Sequence, residues 1–251
     1  FMFKAVLDDI SLLKESLIAI SELIDEATFK LEKGGISLLA PDRAVIAVAD
    51  FVMFPTAFES YKCDKETSIG LNLQTMLKFL KRAKATDKLI LTLDENEDRF
   101  VMVLSGTSTR EFHLPIISIS EQELPDLSKF KFDTKVEITP SLLREGLDNA
   151  GLISDSVLIK VDKNQVIFRA EGDSSLSEVK AEEGNPNVYS ISTPGPVEAR
   201  YSIDYLSKML KAGKLTDKVK LEFNKDYPLR LEFSLKDKIR LAFILAPRVE
   251  E

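Results

Sequence analysis

The spacing of apolar residues predicts that each half of the chain folds as helices packed on antiparallel strands. After a short strand at residues 2–7, apolar residues recur every three or four positions and predict a helix capped by Asp8 or Asp9. Lys14 and Ser21 lie off its buried stripe. That stripe consists of Ile10, Leu13, Leu17, Ile20 and Ile24.

Alternating segments predict a meander after this helix. Residues 28–31 and 36–39 flank the turn-forming sequence at residues 33–35, a pattern typical of a hairpin. A third strand is predicted at residues 45–51. Another strand, at residues 67–71, leads into the second helix.

The second helix, predicted over residues 72–87, concentrates positive charge in an otherwise acidic chain. Its apolar stripe consists of Leu73, Met76, Leu77 and Leu80. Another side is small and cationic, with Lys78, Lys81, Arg82 and Ala85. A solvated surface that only keeps the protein soluble is the alternative explanation.

Strands return after this helix, at residues 89–93, 100–104 and 106–114, with an acidic turn at residues 94–98. Residues 115–132 then lose periodicity and carry two prolines, which is typical of a linker. Several of their side chains are apolar, so we expect this connector to pack on the surface that it crosses.

The second half of the chain repeats the first at a constant offset of 130 residues. Residues 141–145 repeat residues 11–15, and the two hairpins recur in register. The lysines of the second helix recur as the pairs Lys78/Lys208, Lys81/Lys211 and Lys84/Lys214. Chance similarity of amphipathic helices does not keep one offset over helices and strands, so we interpret this as a duplication.

The repeat diverges between residues 172 and 199, where strands are predicted only at residues 176–181 and 188–192. The last strands, at residues 229–235 and 239–245, alternate cleanly.

Composition limits the possible functions. The 251 residues are 44% hydrophobic and 30% charged, with a net charge of −7, as expected of a soluble globular protein. Since the chain is not basic overall, any phosphate contact must be local to particular surfaces. No apolar run is long enough to span a membrane, so we expect a cytoplasmic protein.

No catalytic constellation can be assembled from the sequence. Phosphate-binding glycine motifs are absent, and Cys63 and His113 are the only cysteine and histidine. Acidic residues are abundant enough that a carboxylate or metal site stays possible, although most of them fall in turns and at helix starts. We therefore expect no enzyme activity, cofactor or metal.

Several sequence features together resemble one family. They are Gly70-Leu71-Asn72-Leu73 with Met76, Lys78 and Leu80-Lys81, the turn Asp42-Arg43-Ala44, and the C-terminal sequence Leu245-Ala246-Pro247-Arg248-Val249-Glu250-Glu251. Together with the two halves and the connector, these features resemble the DNA sliding clamp of archaea and eukaryotes, proliferating cell nuclear antigen. The resemblance covers essentially the whole chain and is strongest to archaeal clamps.

The resemblance implies an α+β duplicated clamp fold, with inner helices and outer antiparallel sheets, in a ring of three subunits. It implies an N-terminal domain (2–115), an interdomain connector (116–132) and a C-terminal domain (133–251). The implied function is that of a processivity factor that encircles duplex DNA without reading its sequence. The implied partners are other clamp subunits, DNA polymerase, clamp loader, flap endonuclease and DNA ligase, and the implied location is the nucleoid in the cytoplasm.

Three sets of site residues are predicted: the charge pattern and the resemblance indicate the DNA contacts, and the resemblance alone implies the peptide pocket and the subunit interface. The predicted DNA contacts are Lys14, Lys78, Lys81, Arg82, Lys84, Arg144, Lys208, Lys211 and Lys214. The predicted pocket for a partner peptide is formed by Val45, Ile46, Val48, Leu124, Pro125, Pro228, Ile244, Ala246 and Pro247. The predicted subunit interface pairs Thr109, Arg110, Glu111, Phe112 and His113 with Ser177, Glu178, Val179 and Lys180.

Some positions depart from the family pattern. Pro41 replaces a longer apolar residue of the pocket, and acidic or neutral residues replace basic ones at Glu15, Ser21, Asp148 and Asp204. Two alternatives stay open: a metal-dependent DNA-processing enzyme that uses the basic helices as a track, and a structural interaction protein without DNA. We also hypothesise that protonation of His113 weakens subunit assembly at mildly acid pH.

Overall fold

A computed structural model describes residues 2–94 and 98–249 of the chain. Contacts divide it into two compact units, each of which is described separately. The first unit comprises Phe1–Arg43, Ala49–Glu123 and Ser234–Leu241. The second comprises Ala44–Val48, Leu124–Phe233 and Ala242–Glu251.

The first half of the chain contains nine strands and two α-helices among its described residues. In chain order they are β1 (Phe3–Leu7), α1 (Ser11–Ser21), β2 (Glu26–Glu32), β3 (Gly35–Pro41), β4 (Ala47–Met53), β5 (Ser60–Cys63), β6 (Thr67–Asn72), α2 (Leu73–Leu80), β7 (Lys88–Asp94), β8 (Arg99–Ser105) and β9 (Thr109–Pro115). Strands β5, β1, β7, β8 and β9 form one antiparallel sheet in that order. Strand β2 pairs with β3 and with β6.

The second half repeats this element order. Its elements are β10 (Thr134–Ile138), α3 (Pro140–Ala150), β11 (Ser156–Val161), β12 (Gln165–Glu171), β13 (Leu176–Glu182), β14 (Val188–Ser192), β15 (Val197–Ser202), α4 (Ile203–Met209), β16 (Val219–Phe223), β17 (Leu229–Leu235) and β18 (Ile239–Leu245). Strands β13, β12, β11 and β15 form an antiparallel sheet in that order. Strand β10 pairs with β14 and β16, and β16 pairs with β17.

The duplication is confirmed by the bounds of the elements. Strands β3, β6, β8 and β9 have the same lengths as β12, β15, β17 and β18, and each pair begins at an offset of 130 residues. Helix caps recur as well: the side chain of Asn72 accepts from the Thr75 N–H, and that of Ser202 accepts from the Tyr205 N–H. Such caps satisfy backbone N–H groups that lack a partner inside the helix.

Each repeat buries one face of its helices against its strands. In α1 the side chains of Leu13, Leu17 and Ile20 are buried, as the spacing predicts. In α3 the corresponding Leu143 and Leu147 are buried. Burial of apolar surface is the main stabilising contribution to such a core.

The structure corrects several predictions. Helix α2 ends at Leu80 rather than at residue 87, and β4 begins at Ala47 rather than at residue 45. Ser21 is buried and its hydroxyl donates to the Ile18 carbonyl, so it does not share an exposed side with Lys14. Strands β5 and β15 were not predicted.

Two further predictions were a side-chain cap for helix α1 and an acidic turn at residues 94–98. Helix α1 has no side-chain cap at its N-cap position, Ile10, although the Ser11 N–H donates to the Asp9 carboxylate at 3.2 Å. The predicted acidic turn includes Glu95 and Glu97, which lie outside the described residues, as do Glu250 and Glu251 of the C-terminal sequence.

Candidate nucleic-acid interface

Helix α2 separates an apolar side from a cationic end. Leu73, Met76, Leu77 and Leu80 are buried, while Lys78 is exposed in the last helical turn. Helix α2 ends at Leu80, so Lys81, Arg82 and Lys84 belong to the chain segment after the helix. All three residues are exposed. We call residues 81–84 the basic segment.

Helix α1 packs against α2 and adds one predicted cation. Lys14 is half-buried, and the neighbouring Glu15 has a buried Oε2 atom without a hydrogen-bond partner among the described residues. The Gln74 side chain of α2 donates to the Ser21 carbonyl at 2.9 Å, which joins the two helices. This pair of helices therefore holds Lys14, Lys78 and the basic segment in one unit.

The second unit carries the remaining predicted DNA contacts. Arg144 is exposed on α3, whereas Lys208 on α4 is half-buried and its amine lies 3.0 Å from the Asp204 carboxylate. Lys211 and Lys214 are exposed on a 3₁₀ turn, Leu210–Lys214, that follows α4. Cations thus follow the last helix of each repeat, and in the second repeat Asp204 offsets the charge of Lys208.

The strands predicted for the subunit interface lie at sheet edges. Strand β9 is an edge of the five-stranded sheet, and β13 is an edge of the four-stranded sheet. An edge strand leaves backbone N–H and C=O groups for pairing with another chain. On β9 the His113 imidazole contacts the Glu111 carboxylate.

Side chains on β13 form a compact charge cluster. The Glu178 carboxylate lies 2.8 Å from both the Lys180 amine and the Arg169 guanidinium. Hydrogen bonds from Lys180 and Arg169 hold the pKa of Glu178 below its usual range. Ser177 and Val179 are half-buried on the same strand.

The residues predicted for the peptide pocket all belong to the second unit. Val45 and Ile46 are 52% and 41% exposed, so two adjacent apolar side chains are accessible to a ligand. Val45 also has a positive φ of 55°, and β4 starts only after it. The Ala246 N–H donates to the Ile46 carbonyl at 3.0 Å, so the C-terminal sequence lies beside Ile46.

The other pocket residues differ in accessibility. Val48 and Ile244 are buried, whereas Pro125 and Ala246 are exposed. Leu124, Pro228 and Pro247 are half-buried. Val48 and Ile244 therefore belong to the core of this unit, and the accessible apolar surface comes from the remaining members.

Two ion pairs, one in each unit, were not predicted from the sequence. Asp87, whose side chain is fully buried, contacts the Arg110 guanidinium, and Arg248 lies 2.9 Å from Asp155. Neither pair leaves a signal in hydrophobic periodicity, because its partners lie on separate elements. Within residues 2–94 and 98–249, no three His, Cys, Asp or Glu side chains form a group that could hold a metal ion.

Family models match both halves of the chain. The N-terminal domain of proliferating cell nuclear antigen matches residues 2–123, and its C-terminal domain matches residues 127–248. The chain belongs to the proliferating cell nuclear antigen (PCNA) family. The predicted α+β duplicated fold of this family is thereby confirmed.

Curated relatives and a solved structure agree with this assignment. The chain is 38% identical to the DNA polymerase sliding clamp of Pyrococcus horikoshii over 234 residues, which cover 92% of each chain. It is 34% identical to the DNA polymerase sliding clamp 1 of Thermococcus kodakarensis over 249 residues, which cover 99% of each. A crystal structure of PCNA from Thermococcus kodakaraensis matches with a TM-score of 0.90 and 26% identity, covering 98% of this chain and 100% of that one.

The names of the relatives bear on the enzyme alternative. None of these relatives is named as a nuclease or another DNA-processing enzyme, so the enzyme alternative has no support from them. No helix among the described residues is long and apolar enough to cross a membrane.

Proposed function

We propose that the chain is a subunit of a DNA polymerase sliding clamp, a non-catalytic ring that encircles duplex DNA. The observation that carries this proposal is the match of both halves to PCNA domains, combined with cations that follow the last helix of each repeat. The named relatives are archaeal sliding clamps, which supports the same function for this chain.

DNA would be held without sequence recognition. The cations of the helices, of the basic segment and of the 3₁₀ turn contact phosphates, which present the same charge whatever the base sequence. They are Lys14, Lys78, Lys81, Arg82, Lys84, Arg144, Lys208, Lys211 and Lys214. The contacts need only be weak, because a closed ring stays linked to DNA by topology. The acidic net charge of −7 is then compatible with DNA binding, since only the lining must be positive.

Ring closure would use the two sheet edges. Strand β9 of one subunit pairs with β13 of the next, which removes both unpaired edges. Three subunits close the ring, either as one repeated chain or together with related chains.

Partner enzymes would dock through a short peptide. An aromatic and an aliphatic side chain of the peptide cover the exposed side chains of Val45 and Ile46, beside Pro125 and Ala246. DNA polymerase, clamp loader, flap endonuclease and DNA ligase are the proposed partners. The protein would act on the nucleoid in the cytoplasm.

Retention on DNA of different topology tests this function. The purified protein is loaded onto nicked circular DNA and onto the same DNA made linear, and the bound fraction is followed over time. We expect long retention on the circle, rapid loss from the linear form, and no cleavage of either DNA with magnesium. Equal retention on both forms would contradict the topological mechanism.

A further inference from the structure

Asp87 is a buried acidic residue at the end of the segment that carries the predicted DNA contacts. Its side chain is fully buried, and its Oδ2 atom accepts from the Lys84 N–H at 2.6 Å and from the Arg110 guanidinium. Its Oδ1 atom has no hydrogen-bond partner among the described residues and lies 2.1 Å from where a Cβ on Gly106 would be. A buried charge is stable only when it is paired, so the position of Asp87 depends on Arg110.

Arg110 connects this segment to an edge strand. Its Nη1 donates to the Arg82 carbonyl at 2.9 Å while its Nη2 contacts Asp87, so one guanidinium binds near both ends of the segment after α2. Two residues further along β9, Phe112 stacks on Phe79 of α2, with ring centroids 5.3 Å apart and 20° between the planes. Side chains two apart on a strand share a face, so this face of β9 holds both α2 and the segment that follows it.

The second repeat lacks this arrangement. The residue at the position of Asp87 is Asp217, which is exposed, and the residue at the position of Arg110 is Arg240, whose guanidinium lies 3.9 Å from the Asp50 carboxylate. The second repeat therefore folds in the same way without a pair like Asp87–Arg110. It occurs in the repeat whose last strand, β9, ends a sheet.

We propose that Asp87 and Arg110 are positioning residues that couple edge strand β9 to the basic segment, so that a strand added to β9 also fixes the cations that hold DNA. This inference rests on the proposed function, in which β9 joins the next subunit. Groups that are already ordered before binding lose less conformational entropy when they bind. Pairing of β9 with a strand of the next subunit thereby strengthens DNA retention, although that strand does not contact DNA.

The test uses the full chain with Asp87→Asn, which keeps an acceptor for the Lys84 N–H and removes the charge. Arg110→Lys is the second variant, because it keeps a cation but cannot donate to Asp87 and to the Arg82 carbonyl together. Asp217→Asn is the matched control at the same position of the second repeat. Three quantities are measured for each protein: oligomer mass, amide hydrogen exchange of residues 81–87, and the salt dependence of retention on circular DNA.

We expect Asp87→Asn, which lies outside the predicted subunit interface, to assemble with the mass of the unchanged protein. Arg110→Lys changes a residue of that interface, so for this variant the exchange of residues 81–87 is the deciding quantity. Exchange in residues 81–87 should become several times faster, and DNA should be lost several times sooner with a shallower salt dependence, because fewer cations are held at phosphates. The control should match the unchanged protein in all three quantities. A general loss of stability would not change the salt dependence of a ring that still assembles.

Other outcomes would overturn the inference. Unchanged exchange in both variants would do so. Faster exchange with unchanged DNA retention, or loss of assembly, in Asp87→Asn would also do so. The exchange measurement also separates this inference from the proposed function, because it needs no DNA. In the unchanged protein, amide exchange in residues 81–87 should slow as rising protein concentration drives assembly. If it does not slow, the coupling is wrong even where circular DNA is retained. Failure to retain circular DNA would reject the proposed function alone.

Discussion

The Nη1 atom of Arg248 lies 2.9 Å from the Oδ2 atom of Asp155, and this pair fixes the C-terminal sequence beside strand β15. The Arg248 N–H also donates to the Arg200 carbonyl at 2.7 Å. In the first repeat, the Ile117 N–H makes the corresponding hydrogen bond to the Gly70 carbonyl. Gly70 and Arg200, the two acceptors, are 130 residues apart. In both repeats, the chain that leaves the last strand covers the edge next to the second helix.

The Arg248→Gln variant should release the C-terminal sequence. A hydrogen bond and the charge of Arg248 hold the pKa of Asp155 below its usual range. Because the pKa is lowered in the folded protein, the contribution of this pair is present above the unfolded pKa and is lost as pH falls through the folded pKa. NMR titration should show the Asp155 pKa rising toward its ordinary value in the variant, with faster amide exchange at residue 248, whose N–H donates to the Arg200 carbonyl. An unchanged titration would show that Arg248 does not contact Asp155 in solution.

Removal of two repeated lysines should weaken DNA binding without affecting assembly. Lys81 and Lys211 occupy equivalent positions, and both are exposed. In the double variant Lys81→Gln with Lys211→Gln, the slope of log affinity against log salt should fall by about 0.9 for each phosphate that the protein no longer neutralises. Short duplexes and a salt series measure this slope. Lys163→Gln, at an exposed turn outside the predicted contacts, is the control and should leave the slope unchanged.

The Ile46→Ser variant should weaken binding of partner peptides. Ile46 is 41% exposed, so its side chain contributes little to the folded core while it offers apolar surface to a ligand. We expect affinity for a peptide with an aromatic and an aliphatic anchor to fall about tenfold, or about 1.4 kcal/mol, in calorimetric titration. The matched control is Leu152→Ser, since Leu152 is exposed in the same unit and outside the predicted pocket. If both variants bind alike, the pocket lies elsewhere.

The Gly70→Ala variant should detach the start of the connector. A Cβ at Gly70 would lie 2.2 Å from the Ile117 carbonyl oxygen, so the connector backbone must move away. Such overpacking costs about 1–3 kcal/mol, and proteolysis near Ile117 should accelerate. Gly34→Ala is the control, because a Cβ there meets no atom within 4 Å. Equal resistance to protease in both variants would mean that the connector tolerates the displacement.

Core truncation should affect both repeats alike. Leu13 and Leu143 are equivalent, and each is buried on the first helix of its repeat. Replacement of either by Ala should lower the free energy of unfolding by about 2–5 kcal/mol in urea denaturation. Leu152→Ala, at an exposed position, should change it by less than about 0.5 kcal/mol. A large effect at only one of the two leucines would show that the repeats do not share one pattern of packing.

Periodicity predicted most elements but not the end of helix α2. Residues 81–87, after Leu80, contain two alanines, two lysines and an arginine, all of which favour a helix. The Asp87 carboxylate accepts from the Lys84 N–H, and Arg110 binds the Arg82 carbonyl, so these groups bond outside a helix. Side chains that offer the backbone other partners end helices in this way.

The failure to predict strand β15 and the failure to predict the ion pairs have different causes. In β15 the alternation is short, with the buried Ala199 and Tyr201 on either side of Arg200, and it follows a segment rich in proline and glycine. The Arg248–Asp155 pair joins residues 93 positions apart, and only the folded chain brings them together. The elements that carry the predicted site residues could thus be found from the sequence, and the roles of those residues stay predictions. Ion pairs between distant elements could not be predicted.

The early end of helix α2 has an electrostatic consequence. The last carbonyls of a helix carry a partial negative charge, which would repel a phosphate. In α2 the first residues beyond those carbonyls are Lys81 and Arg82, and after α4 the 3₁₀ turn supplies Lys211 and Lys214. Because the cations follow the helices, each repeat places positive charge beyond the negative end of its own helix dipole, and this charge opposes the repulsion that the carbonyls would exert on a phosphate.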